Sequence, residues 1–298
     1  MNKTLQRGRQ LKFDLAYFNL YIPLLELGHK VYFYDTVMPM QPDFERVVAD
    51  FQPDLLFCCF TGNKIITPPY EPSLEAIANI TKKGNIKTFN WFCDDIWRFD
   101  KFSSQICHNF TACSTPEPTC IEKFHNIGYK NILLGFWYAN KDLFLNIPKI
   151  VNIGFVGGEN NQRMEIFRVL ANASVGFRAW DGLAVEDMYA VYASSKICLN
   201  LSGHLGGGGT QMKLRMVEGT AASAMLLTEY TPGLEEFFDC KKEIVTFSSS
   251  LDLFDKIDFY LENETARLKI AEAGYARFLR EHESKVRLKK LLEQIEEI

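Results

Sequence analysis

The stretch "KICLNLSGHLGGGGTQMKLRMVEGTAASAMLLTEY", residues 196–230, decides the fold. It opens on a short apolar run, crosses four consecutive glycines, continues with apolar residues at helical spacing and closes on a second apolar run. A strand, a loop, a helix and a strand in that order make a βαβ unit, whose two strands run parallel. The same alternation extends in both directions. Downstream come the short "PGLEEFF", a strand "EIVTF" and helical segments to the C-terminus. Upstream, "IVNIGFVGG" reads as a strand and glycine turn, "NQRMEIFRVLANA" as the helix that turn feeds, "VGFRAW" as a strand and "VEDMYAVYASS" as a helix.

Residues before 146 repeat the pattern. "LAYFNLYIPLLELG" is a helix stopping at Gly28, "KVYFYD" a strand, "FERVVADF" a helix and "DLLFCCF" a strand. "PSLEAIANITKKG" is a helix with proline near its start and glycine after its end, followed by the strand "IKTFNWFC". Strand "FTACS", helix "PTCIEKFHNIG" and strand "NILLGF" complete the series. The proline-containing "NIPKIVN" separates the two halves. The expectation is α/β, two Rossmann-like domains, with boundaries 1–147 and 148–298. One irregularity stands out: such a half usually opens with a central apolar strand, and residues 1–13 hold too few apolar residues to make one.

Composition narrows the function classes. With 298 residues, 47% of them hydrophobic and 23% charged, the chain can bury a large core. A net charge of -4 offers no electrostatic footprint for nucleic acid. No stretch approaches the roughly 18 apolar residues of a transmembrane helix, and the first residues lack the apolar core of a signal peptide, so a cytoplasmic protein is expected. Eight cysteines are scattered without C-x-x-C spacing and read as buried free thiols. Cys107, His108, Cys113, Cys120 and His125 could be drawn as a metal site, but their spacing matches no common zinc pattern, and no metal is expected.

The glycine run could be a flexible surface loop. Its position after a strand and before a helix N-terminus is, however, where open α/β sheets bind ligands. Bare amides of Gly207, Gly208 and Gly209 and the helix dipole there favour phosphate, and Lys213 and Arg215 add positive charge. Gly157 and Gly158, at the first turn of the same domain, supply a second glycine turn. Glu218, farther along the helix, suits hydroxyl donors such as a ribose. His204, Asn200 and Ser202 border the loop as secondary candidates. No Walker, GxGxxG or kinase signature occurs, which argues against an NAD-dependent oxidoreductase.

"QMKLRMVEGTAASAMLLTEYTPGLEEFFDCKKEIVTF" with "FYLENETARLKIAEAGYARFLREH" resembles the C-terminal half of GT-B fold glycosyltransferases, in particular the spore-maturation CgeB-like group. "LAYFNLYIPLLELGHKVYFYD" and "WFCDD" extend the likeness into the N-terminal half. The resemblance implies two domains facing across a cleft, the C-terminal one holding a nucleotide-diphosphate sugar as substrate and the N-terminal one an acceptor, whether glycan, protein or small molecule. It assigns the diphosphate to Arg215 and the ribose to Glu218. Related retaining enzymes carry an earlier glutamate eight residues before the second. Thr210 stands there in this chain, so retention or inversion stays open.

A second constellation is "NWFCDDIWRFD", which sets Asp94 and Asp95 at the end of a strand among aromatics. Paired acids suit a divalent ion, but adjacent strand residues face opposite sides of a sheet. Asp94 or Asp95 is expected to act as general base for an acceptor hydroxyl, or Asp95 to cap the next helix. The expected activity is therefore metal-independent sugar transfer with no cofactor. A non-catalytic nucleotide- or sugar-binding protein on the same scaffold is the alternative.

Overall fold

In the computed structural model, which describes residues 3–6, 10–13, 15–37, 42–60, 68–158, 161–173, 175–203 and 209–298, the alternating apolar runs become two separate parallel sheets. The chain divides into two units, residues 1–136 with 288–298, and residues 137–287. The division thus falls before the proline-containing segment 146–152.

The N-terminal unit begins with β1 (Lys3–Gln6) and β2 (Gln10–Phe13), which pair antiparallel with each other. A π-helical turn leads into α1 (Ile22–Glu26), and α2 (Phe44–Phe51) follows. The parallel sheet is then laid down by β3 (Leu55–Cys58), β4 (Lys87–Trp91), β5 (Ala112–Thr115) and β6 (Ile132–Leu134), in that spatial order. Their connections carry α3 (Leu74–Lys83), α4 (Asp95–Arg98), α5 (Ser104–Ile106) and α6 (Ile121–Asn126). α3 shows why local sequence sets its ends. The Ser73 hydroxyl accepts from the Ala76 amide at 3.1 Å, Lys82 and Lys83 occupy the last turn, and Gly84 closes it at φ +74°.

One expected strand is absent. Residues 30–35, "KVYFYD", carry no regular secondary structure and pair with no strand among the described residues. A β-propensity run becomes a strand only where a neighbour accepts its hydrogen bonds.

The C-terminal unit carries β7 (Val151–Val156), β8 (Phe177–Trp180), β9 (Ser195–Asn200), β10 (Met225–Glu229) and β11 (Val245–Phe247), all parallel, in spatial order β11-β10-β9-β7-β8. Helices α7 (Asn161–Asn172), α8 (Val185–Ser194), α9 (Leu214–Ala221), α10 (Ser250–Glu262) and α11 (Glu264–Arg277) accompany them. Ile153, Phe155, Leu199, Leu227 and Phe167 form its main apolar core. The last helix, α12 (Ser284–Glu296), places Leu291 and Ile295 against Phe89 and Ala112 of the N-terminal sheet. These findings bear out the α/β class. Among the described residues no helix is long and apolar enough to cross a membrane.

Candidate functional site

The carboxyl ends of β7, β9 and β10 converge on the start of α9. At the end of β7 the chain turns through Gly157, whose φ of +147° suits glycine. A Cβ there would stand only 2.3 Å from an Arg215 Nη atom, so the absence of a side chain is what lets Arg215 lie against the turn. The Arg215 Nε donates to the Val156 carbonyl at 2.6 Å, and Nη1 donates to the Asn200 Oδ1 at 2.7 Å. Its guanidinium carbon sits 4.2 Å from the centre of the buried Phe155 ring. Among the described residues these hydrogen-bond partners are neutral oxygens. Among the described residues no acid forms a direct ion pair with this fixed cation.

A second arginine, which sequence reasoning missed, joins it. Arg163 of α7 donates to the Gly158 carbonyl at 2.6 Å and to the Leu201 carbonyl at 3.3 Å, 5.4 Å from the same Phe155 ring. Burial first, and then the like charge of Arg215, push its pKa down to about 10. The only sequence signal was its place five residues after Gly158. Two guanidinium groups over one ring repel each other, and an anion bound beside them would relieve that repulsion.

Asn200 is fully buried, and its carboxamide is committed. Nδ2 donates to the Ser202 and Thr228 hydroxyls at 2.8 and 2.9 Å while Oδ1 accepts from Arg215. It holds Arg215 in place and has no hydrogen left for a sugar. Ser202 and Gly203 donate their amides to Glu229 Oε2 at 2.9 and 3.0 Å, and the Gln211 amide donates to the Ser202 carbonyl at 3.2 Å. With Gly203 bridged to Thr210, the neck of the glycine loop is closed. His204, Gly207 and Gly208 lie outside the described residues. Gly209 is exposed beside them.

Lys213 is expected on the face of α9 but stands at its N-cap, in extended conformation. Its backbone therefore ends the loop rather than beginning the helix. Glu218, one turn into α9, is buried. Tyr192 hydrogen-bonds its side chain, while Oε1 has no hydrogen-bond partner among the described residues. Burial raises its pKa to about 7, against the opposing effects of the Tyr192 hydrogen bond and the Arg215 charge. A buried carboxylate oxygen without a donor is costly unless something supplies one.

In the N-terminal unit the two acids part company. Asp95 is completely buried, its Oδ1 accepting from the Ser103 hydroxyl at 2.5 Å, and burial lifts its pKa to about 6. It ties the helical segment after β4 to the sheet. Asp94, not Asp95, occupies the N-cap of α4, without a side-chain cap bond. It holds the left-handed conformation at φ +61°, costly for a residue with a side chain, and keeps its carboxylate partly exposed, 3.9 Å from Arg98. Of the aromatics around the pair, Phe92 and Phe99 are core, and Trp97 is 46% exposed. Cys107, Cys113 and Cys120 are buried free thiols packed in that same core. Among the described residues no three His, Cys, Asp or Glu side chains are grouped to hold a metal ion.

Comparison with known proteins bears on the fold and the family. Solved structures with the same fold include Anabaena HepE in complex with UDP and glucose, at TM-score 0.62 and 10% identity over 85% of this chain and 81% of that one. A glycosyltransferase from Rickettsia africae matches at TM-score 0.58 and 12% identity, over 93% and 87% of the two chains. Sucrose-phosphate synthase from Thermosynechococcus elongatus matches at 0.57 and 12%, over 85% and 76%. No curated protein matches the sequence. At such identities the likeness establishes the fold, that of GT-B glycosyltransferases. The glycosyl transferase-like family model matches residues 138–293, more than half of the chain and nearly all of the unit that carries Arg163, Arg215 and Glu218, and the protein belongs to that family.

Proposed function

We propose that the protein moves a sugar from a nucleotide-diphosphate sugar to an acceptor hydroxyl, without a metal ion, as a member of the CgeB-like branch. The observation that carries this is the pair Arg163 and Arg215, held over Phe155 at the Gly157 turn where the strand ends meet α9. In such a transfer the bond from the anomeric carbon to the β-phosphate oxygen breaks and a bond to the acceptor oxygen forms. The nucleoside diphosphate leaves with an added negative charge. Two fixed guanidinium groups stabilise that charge best where it develops, the service a divalent ion performs elsewhere. HepE has been crystallised with UDP-glucose, which makes uridine the first nucleotide to try.

Glu218 Oε1 is the acceptor offered to ribose hydroxyls, and loop amides from Gly207 to Gly209 and Lys213 are further phosphate donors. Asp94 rather than Asp95 is the base for the acceptor, because only Asp94 has a carboxylate within reach of solvent. The eight free thiols suit a reducing, cytoplasmic setting.

Thermal unfolding in the presence of nucleoside diphosphates tests this, with the matching nucleosides as controls and with chelator added. A ligand of the folded state at about 100 times its Kd stabilises by about 2.7 kcal/mol. The diphosphate should raise the melting temperature far more than the nucleoside, with or without chelator. A shift that vanishes with chelator places a metal in the site, and no shift with any nucleotide removes the donor site. Binding without release of nucleoside diphosphate from any sugar donor would leave a binding protein.

A further inference from the structure

The parallel pairing of β9 with β10 ends at Asn200 and Thr228. Beyond that pair the chain continues from β9 through residues 201–203, of which Leu201 and Ser202 are buried. A buried amide without an acceptor is costly, so something must take over where the ladder stops. The next residue of β10, Glu229, does so with its side chain. Its Oε2 accepts from the Ser202 amide at 2.9 Å and from the Gly203 amide at 3.0 Å, two successive N–H groups on one charged oxygen.

The carbonyls of the same turn receive Arg163. Its Nη1 donates to the Gly158 carbonyl at 2.6 Å, inside the glycine turn that feeds α7. Its Nη2 donates to the Leu201 carbonyl at 3.3 Å and the Gly203 carbonyl at 3.5 Å. The first bond is short. The other two lie at the long end of the hydrogen-bond range, so they depend on where the turn stands. The peptide group joining Leu201 to Ser202 carries both charges at once: its N–H points to the Glu229 carboxylate and its C=O to the Arg163 guanidinium. A peptide dipole aligned between an anion and a cation is polarised by each, and each bond strengthens the other. Burial and the charge of Arg215 lower the Arg163 pKa, and Glu229 is one of the charges that oppose them.

We infer that Glu229 is a positioning residue for Arg163, fixing through the peptide group between Leu201 and Ser202 where the guanidinium stands, and thereby the affinity for the donor's diphosphate. This rests on the donor-site reading above. The sign of the effect separates it from a simple field effect. A carboxylate near a phosphate site repels phosphate, so a Glu229 that acted only by its charge would weaken binding and its removal would tighten it. A Glu229 that acts through Arg163 does the opposite, and only while Arg163 is present.

Calorimetric titration of the full chain tests this, with whichever of UDP, GDP, ADP, CDP and TDP the parent binds most tightly, each variant being titrated below its own melting transition. Arg163→Ala should lose about 10- to 100-fold in affinity and Glu229→Ala about 10-fold. The two substitutions together should bind within about twofold of Arg163→Ala alone, because Glu229 then has nothing left to act on. Glu229→Gln, whose carboxamide oxygen still accepts from both amides, should stay within about threefold of the parent. The inference is overturned if the two losses add, which would make Glu229 a support of the unit and not of Arg163. It is equally overturned if Glu229→Ala binds as tightly as the parent or more so, or if Glu229→Gln loses as much as Glu229→Ala. A parent that binds no nucleoside diphosphate is a different failure, which removes the donor site and this inference with it.

Discussion

At the residue scale, sequence and structure divide the work unevenly. Arg215 and the Gly157 turn were readable because a bare backbone and a nearby cation are both visible in a string of letters. Arg163 was not, since among the charged residues of "ENNQRMEIFR" only three-dimensional placement over Phe155 singles it out. Asn200 looked like a ligand contact and is a support for Arg215, because its burial and full hydrogen bonding appear only in the fold. The acids at 94 and 95 were indistinguishable by type, and one backbone turn separates their fates. If Asp94 is the base, Asp94→Asn should melt close to the parent, since asparagine tolerates the left-handed conformation, while transfer slows by roughly 10²- to 10⁴-fold. Equal rates would return Asp94 to a structural role. Glu218 offers a pH test. Its folded pKa is raised to about 7, above an unfolded value near 4.3, so the parent's stability is greatest below the unfolded value and falls as pH rises toward 7. Glu218→Gln removes that titration. Relative to the parent it should gain stability between about pH 4.5 and 7, by up to about 3 kcal/mol, measurable by urea unfolding at both ends of the window. A difference independent of pH would mean that Glu218 is not buried as described.

At the element scale, nearly every strand and helix was legible, because apolar spacing and caps are local signals. What failed was the strand at 30–35. Pairing is not local: a β-like run needs a neighbour, and among the described residues no strand pairs with this one. The start of α9 shifted for the opposite reason, since Lys213 has an ordinary helical sequence around it but its extended backbone closes the glycine loop. α9 matters most to the site because it carries Arg215 and Glu218, and it is set by how closely it approaches the sheet. A Cβ on Gly219 would come within 3.0 Å of the Cys198 side chain and 3.1 Å of Leu226. Gly219→Val should therefore force α9 outward and cost about 1 to 3 kcal/mol, lowering the melting temperature by several degrees. Nucleotide affinity should fall with it. A variant as stable as the parent would show that this contact does not fix the helix.

At the scale of the whole molecule, the family match covers residues 138–293, the span that holds the second parallel sheet and the candidate site at its strand ends. Fold alone does not set chemistry, and the acceptor is written in neither sheet. The donor side is where the account stands or falls. Calorimetric titration of the parent and of Arg215→Ala with a nucleoside diphosphate and with its nucleoside tests it most directly. The prediction is that the alanine variant loses about 1.5 to 3 kcal/mol, one to two decades in affinity, for the diphosphate while its affinity for the nucleoside changes little. Equal binding of the diphosphate by both proteins, at equal melting temperature, would contradict the claim that Arg215 at the Gly157 turn holds the phosphates.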